Sequence, residues 1–113
     1  MSINGVLMRI VVIGAGLMGP TLAVDCMNSA EVDGVLLVDL DGERLKSISE
    51  RLGNPKKLRT LVQDVTDHKG LVEALKGYDA TAIALLRPLN VHAIWGAVDA
   101  GVHAVDLSDI DPK

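Results

Sequence analysis

The sequence has few aromatic residues and few cysteines, and it has no excess of positive charge. It contains one Trp, one Tyr and no Phe among 113 residues, although 49% of the residues are hydrophobic. The core must therefore be aliphatic, which suits a parallel sheet covered by helices on both faces. The formal net charge of −4 argues against a broad nucleic-acid surface, because such surfaces need many Lys and Arg side chains.

The single cysteine, Cys26, excludes an internal disulfide and a cysteine metal cluster. It lies on the apolar side of a predicted helix, so we interpret it as a buried, inert thiol. No apolar run reaches the length of a membrane span, and the first seven residues lack the features of a signal peptide. We therefore expect a cytoplasmic protein without membrane contact, in which residues 1–8 form a flexible leader and residues 9–113 one domain.

A glycine-rich turn after an apolar run is the main functional motif. Residues 10–13 are all β-branched and aliphatic, and Gly14, Gly16 and Gly19 follow them in the spacing G-x-G-x-x-G. A strand, this spacing and a helix together form the dinucleotide fingerprint. Gly14 would allow the tight turn, Gly16 would let a pyrophosphate approach the backbone, and Gly19 would let the helix pack closely. The helix amides near Leu17 and Met18 would face the phosphates.

An acidic residue after the second apolar run supports this interpretation. Asp39 follows residues 35–38 and lies 20 positions after Gly19, the separation typical of the carboxylate that binds the adenosine ribose. The carboxylate would repel a 2′-phosphate, and Leu40 follows it instead of a basic residue. We therefore predict a preference for NAD over NADP, with Arg44 as the one residue that could reverse it. The alternative is that Gly14 to Gly19 form only a tight strand–helix turn and that Asp39 is a solvated acidic residue of a loop, without a dinucleotide site.

The rest of the chain alternates predicted strands with predicted helices. Apolar runs predict further strands over residues 58–65, 80–86 and 102–107. Regular alternation implies a doubly wound, Rossmann-type parallel sheet with the order 3-2-1-4-5, in which the sixth strand of the complete fold is absent. Asp41 should cap the second helix, and Thr66 or Asp67 the third. Val91, Ile94, Trp95 and Val98 define a fourth helix by their spacing, and Trp95 on this stripe should belong to the core or to an interface.

Other polar residues give weaker signals. His68, His92 and His103 do not share metal-ligand spacing, so we predict no metal site. Asp106 and Ser108 end the fifth strand on the edge where such sheets bind ligands, but they are also ordinary turn residues. No catalytic base is assigned, because no Ser–His–Asp or Lys–Tyr arrangement has supporting context.

Several motifs together resemble the amino-terminal domain of saccharopine dehydrogenase-like oxidoreductases. They are the glycine turn, Val38-Asp39, the segment of residues 64–67 (DVTD) and the segment of residues 100–106 (AGVHAVD). The resemblance implies an enzyme that oxidises or reduces a carbon–nitrogen bond of an amino acid with a nicotinamide cofactor. The implied cofactor contacts are the pyrophosphate at Gly14, Gly16, Leu17, Met18 and Gly19, the adenosine ribose at Asp39 beside Leu40, the adenine at Asp64 and Val65, and the nicotinamide-side ribose at Leu85 and Leu86.

Two classes of function remain open from the sequence. The first is the cofactor domain of a longer oxidoreductase, which would bind its amino-acid substrate through a second domain. The second is a nucleotide-sensing regulatory domain of the kind that gates potassium transport, since such domains also carry the glycine fingerprint and the acid. By itself the 113-residue chain should turn over no amino acid. Its fifth strand, at the edge of the sheet, should allow weak homodimerisation.

Overall fold

The computed structural model describes residues 7–107 and shows one five-stranded parallel sheet with four helices. The strand order is 3-2-1-4-5, as predicted. The elements in chain order are β1 (Met8–Ile13), α1 (Gly19–Met27), β2 (Val32–Asp39), α2 (Gly42–Arg51), β3 (Leu58–Val62), α3 (His68–Leu75), β4 (Ala80–Ile83), α4 (Leu89–Ala100) and β5 (His103–Asp106).

The two faces of the sheet bury separate aliphatic clusters. Because side chains alternate along a strand, Val12 of β1 packs with Leu37 of β2 and with the buried residues of α1 and α2. On the other face, Val11 and Ile13 pack with the buried residues of α3 and α4. This arrangement explains why the central strands are almost wholly apolar, as expected for a sheet covered on both sides.

Several predicted boundaries differ from the structure. β1 begins at Met8, whose amide donates to the Glu31 carbonyl at 2.8 Å, so the predicted leader overlaps the strand. The domain division otherwise stays a prediction, and residues 1–6 and 108–113 lie outside the described residues. The strands predicted over 58–65, 80–86 and 102–107 are shorter, because β3 ends at Val62, β4 ends at Ile83 and β5 spans four residues. The apolar runs continue into the loops that follow β3 and β4.

The fourth helix is present as predicted, but most of the apolar stripe that indicated it is exposed, so Trp95 does not belong to the core and an interface role for it stays a prediction. The fully buried residues of α4 are small or polar, whereas Trp95 and Val98 are 66% and 68% exposed and Val91 is also exposed. Only Ile94 of the predicted stripe is partly buried against the core. The reason is close packing of α4 on α3: a Cβ atom on Gly96 would lie 2.5 Å from a methyl group of Leu71. Small residues allow this approach, so they face inward.

Asp41 caps α2 as predicted, and of the two residues predicted as alternatives for α3, Asp67 is the cap. The Asp41 carboxylate accepts a hydrogen bond from the Arg44 amide at 3.1 Å, and Asp67 accepts one from the Gly70 amide at 3.2 Å. Within residues 7–107, none of the helices is long and apolar enough to cross a membrane.

Candidate dinucleotide-binding site

The turn after β1 is built so tightly that its first glycine cannot be replaced without strain. Gly14 has φ of +106°, a conformation that residues with a Cβ atom rarely adopt. Its amide donates to the Val38 carbonyl of β2 at 2.7 Å. A Cβ atom on Gly14 would lie 2.3 Å from the carbonyl oxygen of Ala84, just after β4. The turn therefore passes between the ends of two strands and needs a residue without a side chain.

The other two glycines of the motif have opposite surroundings. A Cβ atom on Gly19 would lie 1.7 Å from the carbonyl oxygen of Gly14, so the start of α1 packs directly on the turn. A Cβ atom on Gly16 would meet nothing within 4 Å, and Gly16 is exposed. The open side of the turn is therefore at Gly16. Met18 at the N-cap of α1 makes no side-chain capping hydrogen bond, so the amides at the start of the helix, close to Gly16 in the chain, are available to an anion. These features fit a pyrophosphate.

Asp39 connects the turn after β1 to the loop after β2. Its side chain is 12% exposed. One carboxylate oxygen accepts a hydrogen bond from the Ala15 amide at 2.9 Å, and the other accepts one from the Asp41 amide, also at 2.9 Å. The Arg44 guanidinium lies 3.7 Å from the second oxygen and is half exposed. A mostly buried carboxylate and a half-exposed cation therefore lie side by side at the position expected for the adenosine ribose.

These residues border a cleft of about 610 Å³ at the edge of the sheet where β1, β2, β3 and β4 end. This is the edge at which open parallel sheets bind ligands. The structure brings eight of the eleven predicted cofactor residues to this cleft: Gly14, Gly16, Asp39, Leu40, Asp64, Val65, Leu85 and Leu86. Their individual roles in binding stay predictions.

The three remaining predicted residues lie beside the cleft. Leu17 is 99% exposed and lines an adjoining groove with Gly16 and Arg44. Met18 is exposed at the start of α1, and Gly19 is buried beneath the turn. Gly19 would therefore shape the turn, whereas the side chains of Leu17 and Met18 are exposed to solvent beside the cleft.

Some residues that line the cleft were not predicted from the sequence. These are Ile13 and Val38 at the strand ends, and Asp41, Gln63, Ala84 and Leu89 in or after the loops. The signal that could have found them is the topology itself, because residues directly after neighbouring parallel strands meet at one edge. Arg44 was noted only as a possible exception to the predicted cofactor preference, yet it lines the cleft.

The loop after β3 contributes a stable negative charge. The Thr66 hydroxyl and amide donate to one oxygen of the Asp64 carboxylate at 2.6 Å and 2.9 Å. The hydroxyl hydrogen bond is the main cause, and the amide the second, of a lowered pKa of Asp64; nearby His92 adds a smaller effect. The Gln63 side chain donates to the Asp64 carbonyl at 3.1 Å and steadies the same loop. These hydrogen bonds therefore favour the charged form of Asp64.

The remaining candidates lie away from the cleft. The Asn90 side-chain amide donates to the Asp106 carboxylate at 2.8 Å, joining the start of α4 to the end of β5, and Ser108 lies outside the described residues. Cys26 is half-buried, and burial, followed by the charge of Asp25, raises the pKa of its thiol. His68 contacts Asp99 at 2.6 Å. In the described part of the chain, no cluster of three potential metal ligands is present.

Comparison with known families agrees with the resemblance seen in the sequence. The family model described as "Saccharopine dehydrogenase NADP binding domain" matches residues 10–112. The match does not favour the alternative of a nucleotide-sensing domain. It supports a nicotinamide cofactor but favours NADP over the NAD that Asp39 led us to predict. The structure supplies a physical reason for this correction, since the Asp39 charge is bound by two amides and accompanied by Arg44.

Solved structures with the same fold extend well beyond this family. Apo saccharopine dehydrogenase (L-Glu forming) from Saccharomyces cerevisiae has a TM-score of 0.74 at 17% identity, covering 93% of this chain and 22% of that one. UDP-glucose-4-epimerase from Stenotrophomonas maltophila, with NAD bound, has a TM-score of 0.70 at 18% identity, covering 88% of this chain and 36% of that one.

A mutant of the 3-ketoreductase KijD10 from Actinomadura kijaniata, in complex with TDP-benzene and NADP, has a TM-score of 0.63 at 19% identity. The alignment covers 88% of this chain and 29% of that one. At such identities these likenesses show the Rossmann-type fold alone, and the chain spans less than two fifths of each of these three structures. Because the family model covers nearly the whole sequence, the chain belongs to the saccharopine dehydrogenase NADP-binding domain family.

Proposed function

We propose that this chain is the NADP-binding domain of an oxidoreductase that acts on the carbon–nitrogen bond of an amino acid. The proposal is carried by one combined observation: the family match and the geometry of the cleft fall on the same residues. The family match spans residues 10–112, and within that span the glycine turn opens at Gly16 onto a cleft at the ligand-binding edge of the sheet.

The glycine turn would hold the pyrophosphate of the cofactor. Gly14 and Gly19 fix the shape of the turn, Gly16 leaves room for the phosphates, and the start of α1 contributes amides and a positive helix end. Leu85 and Leu86, after β4, would border the nicotinamide half. The bound cofactor supplies hydride transfer, and the domain supplies its binding and orientation.

Arg44 is the best candidate partner for the 2′-phosphate of NADP. Its guanidinium lies at the cleft, 3.7 Å from Asp39, and is half exposed, so a small rotation could bring it to a phosphate. Guanidinium groups bind phosphates through paired, charge-assisted hydrogen bonds. Asp39 already accepts hydrogen bonds from two backbone amides, which disperse its charge and reduce its repulsion of the phosphate.

Calorimetric titration with NADP and with NAD tests the cofactor assignment. We expect tighter binding of NADP, and we expect Arg44→Gln to weaken NADP binding by about tenfold, or about 1.4 kcal/mol, with little effect on NAD. Lys46→Gln is the matched control, because Lys46 is an exposed cation of α2 outside the cleft. Tighter binding of NAD by the parent protein would overturn the proposal for NADP.

The amino-acid substrate would be bound through a second domain. Support for this comes from the family and from the yeast saccharopine dehydrogenase, of which this chain spans 22%. We therefore expect the 113-residue polypeptide to bind NADP but to reduce none of it when lysine, saccharopine or other amino acids are added. Absorbance at 340 nm measures this reaction, and reduction of NADP by the polypeptide alone would contradict the assignment of substrate binding to a second domain. A cytoplasmic location stays a prediction from the sequence.

A further inference from the structure

A second cleft lies at the opposite edge of the sheet, where the strands begin. Its volume is about 320 Å³. It is lined by residues near the starts of β1, β2 and β3 and just before β4: Arg9, Asp33, Gly34, Val35, Lys56, Lys57, Arg59 and Tyr78. Because a strand of five residues is roughly 17 Å long, this cleft is separated from the dinucleotide cleft by the length of the sheet. We call it the basic cleft.

Cations dominate the basic cleft, although the chain as a whole has a net charge of −4. Four basic residues line it against a single acidic one, Asp33, and the ammonium of one of them, Lys57, is bound by backbone carbonyls at the end of α1. Among residues 7–107, none of the four forms an ion pair with a carboxylate. The Asp79 carboxylate lies beside this cleft but is bound by the Arg9 backbone amide at 2.7 Å. A concave group with an excess of one sign of charge attracts ions of the opposite sign, here anions.

Two of the basic side chains are held in place by other groups. The Lys57 ammonium donates to the carbonyls of Met27 and Ser29, at 3.2 Å each, and so holds the loop before β3 against the end of α1. The Arg9 guanidinium lies 4.6 Å from the centre of the Tyr78 ring. Stacking uses one face of the guanidinium and leaves its N–H groups at the rim available. The basic cleft is therefore partly organised in advance.

The floor of the basic cleft is open because Gly34 has no side chain. Arg9 pairs with Gly34 between β1 and β2, and Arg59 pairs with Leu36 between β2 and β3. Since alternate side chains share a face of a sheet, Arg9 and Arg59 lie on the same face as the position of Gly34. A Cβ atom there would meet only the Lys57 carbonyl oxygen, at 3.9 Å. The hollow lies between the two strands that carry guanidinium groups.

We propose that the basic cleft binds a polyvalent oxyanion, of the kind presented by the phosphate groups of a small metabolite. Guanidinium forks suit this class of ligand because each can donate two parallel hydrogen bonds to phosphate oxygens. Lys56 adds an exposed charge at the rim. The site is independent of the dinucleotide cleft, so the domain has two anion sites at opposite ends of one sheet.

Titration of the full chain with sodium pyrophosphate, followed by calorimetry, tests this proposal. We expect a dissociation constant below about 1 mM, weakened about tenfold by Arg9→Gln and by Arg59→Gln. Gly34→Ala should also weaken binding while leaving the circular dichroism spectrum unchanged, because the added methyl group meets no close neighbour. Because the glycine turn would also bind free pyrophosphate, these variants are compared in the Gly16→Val background, which should keep binding in the basic cleft while it abolishes dinucleotide binding.

Two controls distinguish anion binding in the basic cleft from nonspecific attraction to positive charge and from anion binding at the cofactor site. Lys46→Gln removes one positive charge from α2, outside the basic cleft, and should change nothing. The proposal is overturned if pyrophosphate does not bind, or if Lys46→Gln weakens binding as much as Arg59→Gln does. It is also overturned if Gly16→Val abolishes pyrophosphate binding, since the anion would then occupy the dinucleotide cleft. The result does not depend on which nicotinamide cofactor is preferred.

Discussion

Two glycines three positions apart should give opposite phenotypes when they are replaced. A Cβ atom on Gly19 would lie 1.7 Å from the Gly14 carbonyl oxygen, whereas real Cβ contacts essentially never fall below 3.0 Å, so the turn must open by about 1.3 Å in Gly19→Ala. Overpacking of this size costs about 3 kcal/mol. For a domain of about 100 residues, that lowers the Tm by roughly 12–24 °C.

Gly16→Val should instead spare the fold and abolish cofactor binding. A Cβ atom at Gly16 meets nothing within 4 Å, so the free energy of unfolding should change by less than about 0.5 kcal/mol. The valine would fill the space needed by the pyrophosphate, and NADP affinity should fall at least 100-fold, or about 2.7 kcal/mol. Gly16→Ala, with its smaller side chain, should give an intermediate loss.

Urea denaturation followed by circular dichroism, combined with calorimetric titration of NADP, measures both effects on the same variants. Parental affinity in Gly16→Val would show that the pyrophosphate does not lie against this turn. Parental stability in Gly19→Ala would show that the helix start does not pack on the Gly14 carbonyl. Either result would refute the roles assigned to the two glycines.

Three further predictions concern groups outside the glycine turn. Because burial and Asp25 raise the pKa of the Cys26 thiol, alkylation at neutral pH should be slower than that of free cysteine; an equal rate would contradict this. Thr66→Val should raise the pKa of Asp64 in an NMR titration, since the hydroxyl hydrogen bond that lowers it is lost; any stability that Asp64 contributes, present above its unfolded pKa, should then fade at higher pH than in the parent. Because β5 ends the strand order and Val105 is 59% exposed, weak dimers should form with strand five at the interface, and Val105→Pro should weaken them; strictly monomeric sedimentation at high concentration would exclude such dimers.

Much of the fold follows from local patterns in the sequence. The run before Gly14 indicates a buried strand because it is short, β-branched and followed by glycines, and alternation with helical segments restricted the sheet to very few strand orders. Strand ends were less predictable, because residues such as Val65 and Leu85 are apolar yet lie in loops after their strands. There the apolar side chains face the cleft, and no local pattern distinguishes them from strand residues.

The inward face of α4 could not be read from the sequence, for a physical reason. The stripe containing Val91, Trp95 and Val98 has the same helical spacing as the stripe of small residues, so the spacing predicts the helix but does not decide which stripe packs on the core. Packing against α3 decides which stripe faces inward, because Leu71 of α3 leaves room only for Gly96. Similarly, Arg44 reaches the cleft because α2 begins beside Asp39, a relation between elements that the residue order alone does not give.

The carboxylate of Asp39 has an entropic consequence for the dinucleotide site. By accepting hydrogen bonds from Ala15 and from Asp41, it joins the turn after β1 to the loop after β2 before any cofactor arrives. A ligand that enters such a preorganised site loses less affinity to the ordering of loops. Replacing Asp39 by alanine would therefore raise the entropic cost of binding for every dinucleotide, whether or not its ribose ever contacts the carboxylate.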